Sequence, residues 1–72
     1  MQPLRKRSFS IAGHRTSVAL EPEFWTVLEK EARRLGRTLS GLVAQVDGAR
    51  ETQPLASALR LAALKATGRS SA

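Results

Sequence analysis

The side chains in this 72-residue sequence best equipped to do chemistry are cations. Twelve Lys and Arg stand against six Asp and Glu, a net charge of +6. That balance suits a polyanionic partner, with nucleic acid ahead of an anionic membrane. Three cations are consecutive, Arg5-Lys6-Arg7. Such a run can neutralise phosphates and release counterions without reading sequence. Catalysis has little support. There is no cysteine nucleophile, and the one histidine, His14, has no acid placed to orient it. Asp47 lies on a separate predicted helix, so His14 and the scattered serines make no triad. No Gly-rich phosphate loop is present. One histidine without cysteine does not build a zinc cage. The expectation is a protein that is no enzyme and uses no metal or cofactor.

A small domain must position these cations. A chain this short buries little core, and such domains lean on disulfides, metals or oligomerisation. Only oligomerisation is left here. The absence of cysteine agrees with a cytoplasmic location. No apolar run approaches the ~18 residues needed to cross a bilayer. No apolar segment follows the basic N-terminus to make a signal peptide.

The stretch from His14 to Trp25 organises the rest. Thr16, Val18 and Leu20 alternate with Arg15, Ser17 and Ala19, which predicts a strand over about 14–20. Pro22 ends pairing and opens a helix over 22–35. Phe24, Trp25, Val27, Leu28, Ala32 and Leu35 share one arc of that helix, with Glu31 inside it. Gly36 ends it, and Arg33 and Arg34 suit its last turn. Thr38 caps a second helix over 38–48, striped by Leu39, Leu42, Val43 and Val46. Pro54 opens a third over 54–66. Its main stripe is Leu55, Ala58, Leu59, Ala62, Ala63 and Ala66, and Leu61 and Leu64 lie off that stripe.

Upstream, Ser8-Phe9-Ser10-Ile11 alternates as a short strand or strand extension does. A bulge or tight turn at Gly13 would return Phe9 and Ile11 to the apolar face. Residues 1–7 read as a disordered basic arm, 8–67 as the domain, and 68–72 as a disordered tail. No internal repeat is evident. The strand at 14–20 lacks a partner strand after residue 20, and a second copy of the chain is the expected supplier.

The order strand, helix, short Gly-Arg-Thr connection, helix resembles the ribbon-helix-helix proteins, the class of the Arc and Met repressors, over residues 14–47. Arg15–Leu20, Glu21-Pro22-Glu23 and Leu35-Gly36-Arg37-Thr38 match the family's strand, junction and interhelix turn. Gly13-His14-Arg15-Thr16-Ser17, the run Leu20–Trp25 and Ala58-Leu59-Arg60 are similar to a bacterial subfamily of short stand-alone members. The resemblance implies a mainly α fold with one short N-terminal β-strand. It would be an intertwined homodimer whose two-stranded antiparallel ribbon enters the DNA major groove, with an extra C-terminal helix. By position, Arg15, Ser17 and Ala19 would contact bases. Arg15 suits guanine O6/N7, Ser17 several bases, and Ala19 only a thymine methyl. Many members carry a polar residue where Ala19 stands. The second helix would hold phosphate at Arg37, Thr38 and Leu39, and Arg5, Lys6 and Arg7 would add phosphate contacts.

The implied dimer core is Thr16, Val18, Leu20, Phe24, Trp25, Leu28, Leu35, Leu42, Val43 and Val46. Its two-fold axis would pass near Ser17, and Glu31 would be a paired charge at the core edge, for example with an Arg of the other subunit. The implied function is sequence-specific binding of double-stranded DNA by a homodimer or dimer of dimers. That describes a small transcriptional repressor, nucleoid-associated and cytoplasmic. Two alternatives are an antitoxin that represses its own promoter, and a protein-interaction module that uses the fold without DNA. For the antitoxin, the third helix is the candidate toxin-binding segment. Leu61 and Leu64 would stay exposed for such contacts, or be buried if that helix wraps across the dimer.

Overall fold

The computed structural model of the chain describes residues 3–70. Two antiparallel strands open it, β1 (Arg5–Ile11) and β2 (His14–Leu20). Only Ala12 and Gly13 connect them, with φ of +52 and +81. A two-residue loop with both φ positive is the I′ type, whose twist matches a hairpin's. Gly13 adopts it without strain, whereas the Cβ of Ala12 makes the left-handed region unfavourable. Phe9 lies opposite Thr16, and Arg5 opposite Leu20.

This hairpin corrects two expectations. The 14–20 strand is paired along one edge by Arg5–Ile11 of its own chain, where only a second copy was expected to supply a partner. Arg5, Lys6 and Arg7 belong to β1 and are not a disordered arm; Met1 and Gln2, the start of that arm, lie outside the described residues. Consecutive cations have little strand propensity of their own. Pairing with Val18–Leu20 orders them, and the Trp25 indole N–H donates to the Arg5 carbonyl oxygen at 2.8 Å. The tight turn at Gly13 has the anticipated effect. Phe9 and Ile11 share a face with Val18 and Leu20, and all four are buried.

Three helices follow: α1 (Pro22–Arg34), α2 (Leu39–Ala49) and α3 (Leu55–Ser70). Pro22 occupies the start of α1, where its missing N–H costs nothing. Gly36, at φ +69, closes α1. The Arg37 N–H donates to the Ala32 carbonyl at 2.8 Å, and the Gly36 N–H to the Arg33 carbonyl at 3.1 Å. Those two bonds define a Schellman motif. Thr38 caps α2 by accepting the Gly41 N–H at 3.0 Å. Gly48 lies within α2, one residue before its end. The helix α3 runs through Gly68 to Ser70, which corrects the tail expected from 68 onward. One glycine costs a helix only about 1 kcal/mol, and no proline follows to stop it. Ser71 and Ala72 lie outside the described residues.

The helix α1 packs against both α2 and α3, while α2 meets β1 and α3 meets β2. Leu20, Leu28, Val43 and Leu59 are the largest fully buried side chains. Trp25 and Leu42 are buried with them; Thr16 is half-buried, and Phe24 and Val46 are half-buried against this core. Leu35, expected in the dimer core, is not buried within the single chain. It is the C-cap of α1 and 40% exposed, because the Schellman turn carries the chain away from the arc it shares with Trp25 and Leu28. Glu31 is paired within its own helix. Arg34 meets it through two hydrogen bonds, of 2.9 and 2.7 Å, and no second subunit is needed.

Candidate nucleic-acid interface

Strand alternation divides the hairpin into two faces. One carries Phe9, Ile11, Val18 and Leu20 and covers the helices. The other carries Lys6 opposite Ala19, Ser8 opposite Ser17, and Ser10 opposite Arg15. Five of these six are exposed and Ala19 is half-buried. The Ser8 and Ser17 hydroxyls are 3.0 Å apart and either can donate. Among the described residues no ion pair holds Lys6 or Arg15. This surface therefore has a cation toward each end, hydroxyls between them, and no core to cover.

The three positions expected to contact bases, Arg15, Ser17 and Ala19, all lie on this outer face. Lys6, Ser8 and Ser10 join them from β1. Sequence reading did not place Ser8 and Ser10 in the site. The signal was there, because they alternate with Phe9 and Ile11 and the tight turn fixes which way each row points.

The basic run is split between the two faces. Arg5 and Arg7 lie on the helix side. The Arg7 guanidinium sits 5.3 Å from the centre of the Trp25 ring and pairs with Glu29 at 2.9 Å. Trp25 also stacks at a tilt against Phe9, with centroids 5.9 Å apart. Of the run, Lys6 alone shares a face with Arg15.

The start of α2 offers a second kind of contact. Its first turn leaves backbone N–H groups outside the intrahelical pattern. Thr38 satisfies the one on Gly41, and those of Leu39 and Ser40 point along the positive end of the helix dipole. Arg37 beside them is exposed. Because α2 packs on β1, this anion-attracting terminus belongs to the element next to the ribbon.

A polar clamp fixes the ribbon's exit. Arg60 of α3 donates to the Glu21 carboxylate at 3.1 Å, and its guanidinium lies 6.0 Å from the Phe24 ring. A backbone hydrogen bond, then that from Arg60, holds the Glu21 carboxyl below its usual pKa. Two separated sequence motifs, Leu20–Trp25 and Ala58–Arg60, thus meet at one place. Among the described residues, no cluster of three His, Cys, Asp or Glu could hold a metal, and no helix is long and apolar enough to cross a membrane.

A family model described as a ribbon-helix-helix domain matches residues 4–67. That span takes in all of β1 and most of α3. No curated protein and no solved structure matches the chain.

Proposed function

The chain belongs to the ribbon-helix-helix family, a family of DNA-binding regulators, and on that premise we propose that it binds double-stranded DNA sequence-specifically with the outer ribbon face. The observation that carries this reading is that face. It is exposed, bears Lys6 and Arg15 with no ion-pair partner among the described residues, and has hydroxyls between them. A two-stranded ribbon fits the major groove, where Arg15 can donate to guanine O6/N7 and Ser17 to several acceptors. Ala19 is suited only to a thymine methyl. Backbone N–H groups at Thr38, Leu39 and Ser40, with Arg37, would hold a flanking phosphate. The biological role that follows is a small transcriptional repressor acting in the bacterial cytoplasm.

Members of the family usually act as dimers. Since the hairpin closes within one chain, association here would set two ribbons on adjacent half-sites instead of building one ribbon from two strands. Leu61 and Leu64 support such a contact, being 45% and 57% exposed on α3. Neighbouring exposed leucines mark interaction surfaces more often than isolated ones do. The double substitution Leu61→Gln/Leu64→Gln should leave thermal stability unchanged and abolish cooperative binding to tandem sites. A large fall in melting temperature would instead place both leucines in the core.

Selection of bound sequences from a random duplex pool tests the main proposal. A converged motif supports it. Salt-dependent binding without a motif removes base reading. No binding at all favours a protein-interaction role for the fold.

A further inference from the structure

The hairpin has an internal symmetry that neither strand shows alone. Rotation by half a turn about the Ser8–Ser17 pair exchanges β1 with β2 and keeps the register. It brings Lys6 onto Arg15, Ser8 onto Ser17 and Ser10 onto Ala19. On the buried side it brings Phe9 onto Val18 and Ile11 onto Leu20. Each strand therefore reads cation, any residue, Ser, apolar, small, apolar. The repeat escapes sequence comparison because Ser is the only identity between Lys6–Ile11 and Arg15–Leu20.

From this we infer that the hairpin of one chain is a complete pseudo-two-fold reading head. Lys6 contacts a base at the position related to the one Arg15 contacts, and the Ser8–Ser17 hydroxyl pair lies on the axis. The inference rests on the proposed ribbon reading and deepens it.

Three physical points carry it. A major groove about 12 Å wide admits two strands, and one chain already supplies both. Lys6 has the chemistry for the task, because Lys as well as Arg donates to guanine O6/N7. It is exposed, with no ion-pair partner among the described residues, whereas its neighbours Arg5 and Arg7 lie toward Trp25. The central hydroxyls can use one proton between them, which leaves the other proton for a base acceptor. Such a unit tolerates several bases, so the sharpest discrimination belongs to the two cations at the ends.

The test is selection from a random duplex pool with the full chain and with Lys6→Ala and Arg15→Ala. Stoichiometry on the selected site is measured by sedimentation. Both side chains are exposed, so unchanged melting curves confirm that the variants fold. The wild-type motif should have two base positions related by an approximate dyad, with one chain bound per motif. Each variant should relax a different one of the two positions and weaken binding to the parent site by about 5- to 150-fold. Lys6→Arg should retain both preferences. If Lys6→Ala weakens all sequences alike, Lys6 touches phosphate only and the inference falls while the ribbon reading stands. If Arg15→Ala relaxes both positions and two chains occupy one motif, the ribbon is shared between copies and the inference also falls. If neither variant changes binding, the ribbon reading itself fails.

Discussion

The two faces of the ribbon are built from the same fourteen strand residues and are opposite in kind. The helix side is closed. Phe9, Ile11, Val18 and Leu20 are buried on it, and Arg7 is engaged with Glu29 and the Trp25 ring. The outer side presents Lys6, Arg15 and three serines to solvent. The contrast teaches that basic residues here are not equivalent by being adjacent. Lys6 and Arg7 differ by one position, and that single step decides whether a charge stabilises the domain or is available to a ligand.

Breaking the closed face should have the largest effect. Trp25 is 2% exposed and joins β1 to α1 through ring, indole N–H and cation contacts. Trp25→Ala should cost about 3–5 kcal/mol, much of the stability of a domain this small. Chemical denaturation would measure it. A loss under 1 kcal/mol would mean that the hairpin is held by its turn and not by the helices.

On the open face the effect should move from stability to binding. Arg15→Ala should lose about 1–3 kcal/mol of specific affinity and leave the denaturation midpoint in place. Unchanged affinity of a folded variant for the selected site would take Arg15 off the reading face.

Arg7 tests whether the split is real. Its ion pair is exposed and its ring contact shallow, so Arg7→Gln should cost about 1 kcal/mol or less. The salt slope of DNA binding should not change. A slope shallower by about 0.9 would show that Arg7 neutralises a phosphate after all.

The smallest effect is at the Glu21–Arg60 clamp. The carboxyl is held below its ordinary 4.5 in the folded chain. Between that value and the folded one, the unfolded state binds more protons, so the contribution is present above 4.5 and lost as pH falls through the folded pKa. Melting curves of the parent and of Glu21→Gln should therefore differ near neutral pH and converge in acid. A difference that persists unchanged in acid would assign the effect of Glu21 to packing.

Local signals accounted for much of this molecule in advance. Proline and glycine punctuation marked Pro22, Gly36 and Pro54, and Thr38 announced a cap, because these residues act through backbone geometry within one turn. Apolar alternation in Thr16–Leu20 placed Arg15, Ser17 and Ala19 on a common outward row. The same alternation in Ser8–Ile11, with a turn at Gly13, was enough to set Phe9 and Ile11 inward. Only tertiary structure decided the rest. That Arg5-Lys6-Arg7 forms strand depends on Trp25, twenty residues from Arg5, because no local propensity orders three cations. That Leu35 is exposed depends on where the turn at Gly36 sends α2. The likeness of the two strands appears only in register, since side chains of different identity become equivalent when an axis relates their positions.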